Sequence, residues 1–78
     1  MGNDKADKIQ KSTTLADALP KEIERCQEVI RAYESIGPAG YLVVAHIKSD
    51  ISIAHEAMME MDIVKMLKAY RRLKEWEM

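Results

Sequence analysis

Two histidines, one cysteine and a cluster of methionines are the residues here whose types and spacing bear on chemistry. His55-Glu56-Ala57-Met58-Met59 opens like the His-Glu-x-x-His zinc helix. That motif needs a second imidazole at i+4, so that two nitrogens share one helical face around the metal. Met59 stands there and is a poor zinc ligand. His46 and Asp50 are four apart and, on a helix, are close enough to share a metal or a hydrogen bond. His46 and His55 are nine apart, which turns them to opposite sides of one helix. Only a symmetric dimer would let them converge, and nothing in the sequence asks for that. Met58, Met59, Met61 and Met66 cluster near one another. Thioethers bind Cu(I), and Met-rich surfaces adapt to partners. Three of these four fall on apolar helical stripes, so core filling is the expected use.

Cys26 is the single cysteine, which excludes an internal disulfide. It has no histidine near it in sequence and lies on an apolar stripe, as a small hydrophobe would. There is no Gly-rich phosphate loop and no carboxylate pair in apolar surroundings. No catalytic residue, cofactor-binding residue or metal ligand is therefore assigned, no cofactor is expected, and an enzyme is not the expected class. Metal binding remains a minor alternative.

Lys65, Lys68, Arg71, Arg72 and Lys74 form the one basic concentration. They spread around a helix instead of tracking one edge, and no helix-turn-helix spacing or aromatic platform accompanies them. The main reading is a solvated face suited to the negative end of a helix. A nucleic-acid-associated role through Arg71 and Arg72 is the weaker alternative.

The chain has 78 residues, enough for one small domain. Hydrophobic residues make up 47%, which favours a globular chain over a disordered one. With no Phe, one Trp and three Tyr, the core must be aliphatic. A formal net charge of −1 argues for neither nucleic acid nor a membrane surface. No run of about 18 apolar residues exists and no signal-peptide core opens the chain, so the expected location is cytoplasmic.

The elements that hold these residues follow from periodicity. Residues 1–13 are polar and aperiodic, and residues 1–18 are expected to form a flexible tail ahead of one helical domain over 19–78. Pro20 suits a first helical turn, so helix 1 is predicted from Pro20 to about Ile36, with Leu15 and Leu19 either extending it, stapling its start or forming a separate turn over 14–19. Its stripe is Ile23, Cys26, Ile30 and Tyr33, flanked by Val29 and Ile36. Ile36-Gly37-Pro38-Ala39-Gly40 breaks the pattern. Gly37 is expected to end helix 1 in the left-handed conformation, and Pro38 to begin helix 2. Gly40 either lets a neighbouring helix approach closely or merely belongs to the turn.

Helix 2 is predicted over 38–60. Val44, Ile47, Ile51, Ala54, Met58 and Met61 step along one face by three and four. Leu42 and Ile53 lie nearly opposite, either as ordinary surface exposure or as contacts to a second chain. Asp62 is a good N-cap for helix 3, with Ile63, Met66, Tyr70 and Leu73 inward and Leu67, Ala69 and Trp76 beside them. The short link at 60–62 and the Asp62 cap favour helices 2 and 3 as antiparallel neighbours over one long bent helix from 38 to 76.

From about Leu19 to Glu77 the chain resembles a group of small bacterial helical proteins of unknown function, some encoded near prophage genes. The residues that carry this are Leu19-Pro20 with Glu22-Ile23-Glu24-Arg25, Tyr33, Ile36-Gly37-Pro38-Ala39-Gly40, Asp62-Ile63-Val64 and Met66-Leu67-Lys68-Ala69-Tyr70. Met61 departs from the group, where a small residue or Gly is expected before the Asp. The resemblance implies a compact helical unit and no activity.

The sequence thus predicts an all-α domain of three antiparallel helices with helix 2 as the longest. Its expected role is that of a non-catalytic protein-interaction or oligomerisation module. A homodimer or other homo-oligomer and an unidentified protein partner are expected, with no membrane partner, and Leu42 and Ile53 are the candidate contacts.

Overall fold

A computed structural model describes the backbone of residues 3–77 and the side-chain environments from Leu15 onward. Helix α1 spans Asn3–Ile36, α2 spans Tyr41–Glu60 and α3 spans Ile63–Lys74, with a short 3-10 turn at Pro38–Gly40 between the first two. No strand occurs among the described residues. The three helices pack on one another pairwise, so α1 also touches α3. Glu60 meets Lys65 and Asp50 meets Trp76, which makes α2 and α3 antiparallel.

The core is aliphatic, as the composition requires. Leu19, Cys26, Ile47 and Leu73 are fully buried, and Ile23, Val29, Ile30, Val44, Ile51 and Met66 nearly so. Ala54, Ala57 and Ala69 are buried where α2 meets its neighbours. Tyr33, Tyr70 and Trp76 pack half-buried around this centre.

α1 does not begin at Pro20. It continues through that residue from Asn3, at 34 residues against 20 for α2, so α2 is not the longest helix. A proline inside a helix loses one backbone hydrogen bond and crowds the carbonyl four residues back, at a cost of about 3 kcal/mol. Here Leu15, Leu19 and Ile23 pack into the core on both sides of it while Pro20 itself is exposed. Burial on both flanks holds the helix continuous. Of the expected tail, residues 3–18 are helical and residues 1–2 lie outside the described residues.

Both turns rest on backbone conformations that differ in detail from expectation. Gly37 has φ 100° and ψ −155°, a positive-φ region outside the left-handed helical basin and open only to glycine. Pro38 then starts the 3-10 turn, not α2. Gly40 is buried, and a Cβ there would lie 2.3 Å from the Tyr33 carbonyl oxygen, so the turn and the close approach are one feature.

At the second turn Met61 adopts φ 54°, ψ 35°, and its N–H caps α2 through Ala57 and Met58 carbonyls. This left-handed cap turns Met61 out of the seam, and it is 80% exposed. Ala57 takes the buried place at the end of α2, with Met58 half-buried. Asp62 caps α3, its Oδ1 accepting from the Lys65 N–H at 3.1 Å.

Candidate interaction surface

α2 carries apolar residues outside its buried seam as well as on it. The seam builds the core, while Leu42, 74% exposed, and Ile53, 43% exposed, lie outside it. Eleven residues separate them, about 16 Å along one face. Both positions proposed from the pattern are therefore free surface in this chain. Ile53 also forms part of a shallow groove of about 380 Å³ between α2 and α3. Ala57 and Ala69 line it with Ile53, Glu56 and Glu60 stand on the α2 wall, and Lys65, Lys68 and Arg72 stand on the α3 wall.

The walls differ in charge because α2 ends acidic while α3 is basic through its length. Glu60 Oε1 meets Lys65 Nζ at 2.8 Å across the groove, which raises the lysine above its ordinary pKa. Arg72 Nη1 lies 3.4 Å from Asp50 Oδ1, and the Trp76 indole donates to Asp50 Oδ2 at 2.9 Å. Asp50 is thus held by α3 and its tail, and makes no hydrogen bond with His46 among the described residues. His46 and His55 are both exposed. No group of three His, Cys, Asp or Glu side chains close enough to hold a metal occurs among the described residues.

The basic residues of α3 are partly engaged within the chain. Lys65 and Arg72 are paired as above, and Lys74 sits 5.4 Å from the Tyr70 ring centroid. Arg71 and Arg72 are both exposed, but the Asp50 contact holds Arg72 toward α2.

Arg25 had no assigned role in the sequence. Its Nη1 donates to the Trp76 carbonyl at 2.7 Å and its Nη2 to the Leu73 carbonyl at 2.8 Å. Glu22 accepts from its Nε at 3.0 Å, and this hydrogen bond raises the guanidinium further. The side chain adds a second donor to the Leu73 carbonyl, which already accepts from the Trp76 N–H, and supplies a donor to the Trp76 carbonyl just past the end of α3. Its partners lie about fifty residues away, so only the Glu22–Arg25 spacing was visible in sequence.

A second apolar patch also escaped sequence reasoning. Met59, Met61, Ile63, Val64 and Leu67 are 85%, 80%, 52%, 62% and 41% exposed around the second turn. Periodicity placed Met61, Ile63 and Leu67 inward. On α3, Met66 and Leu73 are buried as expected and the flanking Ala69 with them, while Ile63 and Leu67 turn outward and Tyr70 is half-buried.

Fold and surface together define a small three-helix domain whose most distinctive outward features are apolar and charged strips. Comparison with known protein families, curated proteins and solved structures finds no match to this chain. No described helix is long and apolar enough to cross a membrane.

Proposed function

We propose that the chain is a small non-catalytic protein-interaction and oligomerisation module that docks through the outer side of α2. The carrying observation is that Leu42 and Ile53 lie exposed on one side of α2, outside the buried seam. A surface helix normally keeps one apolar stripe for its own core and a polar face for water. A second set of aliphatic residues on the outer face suits contact with another chain.

The test is chemical cross-linking of the full chain in host extract, comparing wild type with Leu42→Glu/Ile53→Glu. Both positions are exposed, so helicity by circular dichroism should stay unchanged while cross-linked products, to itself or to others, disappear. Undiminished products from a folded double variant would refute this reading.

A further inference from the structure

The groove between α2 and α3 has a charge pattern that is complementary to itself. Its α2 wall carries Glu56 and Glu60, its α3 wall Lys65, Lys68 and Arg72, and Ile53 lies between them. Glu60 and Lys65 neutralise each other within the chain, as do Asp50 and Arg72. Glu56 and Lys68 are exposed and make no ion pair among the described residues.

These two residues also stand level. Glu60 faces Lys65, and Asp50 faces Trp76, which fixes the register of the antiparallel pair. Stepping four residues back from Glu60 and four forward from Lys65 sets Glu56 opposite Ala69, beside Lys68.

We propose that this groove is a homodimer interface, with a two-fold axis running along it. The inference rests on the interaction reading above and names a second copy of the chain as the partner. Rotation about that axis lays α2 of one copy over α3 of the other and preserves height along the groove. Each Glu56 then meets Lys68 of the other copy, twice per dimer, as an isologous contact requires. Ile53, 43% exposed, supplies apolar area beside these pairs. The perpendicular two-fold would stack acidic wall on acidic wall and basic on basic, which repulsion disfavours. α3 has 12 residues, about 18 Å, so the footprint is short and Leu42 falls outside it. Association is therefore weak and weakened by salt.

Sedimentation equilibrium of the full chain across the micromolar range tests this. Wild type should dimerise reversibly, and less so in high salt. Glu56→Lys and Lys68→Glu should each weaken the dimer about fivefold or more by placing like charges in contact twice. The combined swap should restore it, and Lys48→Glu, on the other side of α2, should change little. Helicity is checked for each variant. A wild type monomeric throughout, or a dimer indifferent to both single reversals, overturns the groove interface. A dimer lost on Leu42→Glu but unmoved at positions 56 and 68 also overturns it, while leaving the interaction reading standing.

Discussion

The indole Nε1 of Trp76 donates to Asp50 Oδ2 at 2.9 Å, joining the segment after α3 to the middle of α2. Asp50 is well sheltered, its side chain 14% exposed, so losing the indole would leave a carboxylate without its best donor. Trp76→Phe should cost about 1 kcal/mol, and Asp50→Ala, which also loses the Arg72 contact, somewhat more. Because both remove the indole–carboxylate hydrogen bond, the double variant should cost less than their sum. Urea denaturation of all four proteins measures this, and strict additivity would show that the bond contributes nothing.

Arg25 is the second tie between the end of α3 and the rest of the fold. It reaches two carbonyls and a carboxylate at once, a geometry that lysine with its single ammonium cannot reproduce. Its side chain is 38% exposed, which reduces the gain through solvent screening. Arg25→Lys should cost about 1 kcal/mol and Arg25→Ala about 2 kcal/mol. Amide exchange at residues 73–77 should accelerate more than at 44–57. Uniform acceleration would mean that Arg25 supports the whole fold and not this terminus.

These two ties mark where sequence reasoning ends. Helix periodicity located the seam from Val44 to Ala54, the Asp62 cap and the break at Gly37, because each depends on residues within a few positions. Pro20 misled because a local cost was overruled by burial of Leu19 and Ile23 in the tertiary core. Met61 misled because periodicity assumes that a helix continues, whereas the left-handed cap ends it one residue earlier. Leu42 and Ile53 were legible as surface positions, while the charged walls around Ile53 needed α3 beside α2. Arg25 to Leu73 and Asp50 to Trp76 span distances in sequence that no local pattern encodes.

The first turn should be the least tolerant of a single added methyl. A Cβ on Gly40 would sit 2.3 Å from backbone oxygen of Tyr33, which no side-chain rotation relieves. Gly37 has open space but a positive φ that side chains rarely adopt. Gly37→Ala should therefore cost about 1–3 kcal/mol through strain alone. Gly40→Ala should cost more, by parting α1 from α2. Thermal denaturation ranks the two, and Gly40→Ala milder than Gly37→Ala would contradict the close approach.

At the second turn the same physics predicts a gain. Met61 holds φ 54° at the end of α2, with its side chain 80% exposed. A non-glycine residue there pays about 1–2 kcal/mol for the left-handed conformation, and little packing is lost on removing it. Glycine also frees the unfolded chain, which offsets part of the gain. Met61→Gly should stabilise by about 0.5–1 kcal/mol, while Asp62→Ala, which removes the cap on α3, should cost about 1 kcal/mol. Chemical denaturation midpoints moving in opposite directions would support both; a destabilised Met61→Gly would mean that the methionine packs in solution.

Cys26 should make stability fall at alkaline pH. Burial raises its thiol pKa, and the nearby Arg25 guanidinium opposes this only in part. In the unfolded chain the thiol ionises near pH 8.5 or so. Below that value both states hold the proton and Cys26 adds no pH dependence. Above it the unfolded chain loses the proton first, so the folded state binds more protons and stability falls as pH rises. The slope reaches at most about 1.4 kcal/mol per pH unit and fades once pH passes the raised native value. The quantity to measure is the difference between wild type and Cys26→Ala. Urea midpoints from neutral pH to about pH 10 should show wild type losing stability faster than the variant above the unfolded thiol value. Parallel curves would mean that the native thiol ionises as readily as a solvated one, and would contradict its full burial beside Leu73.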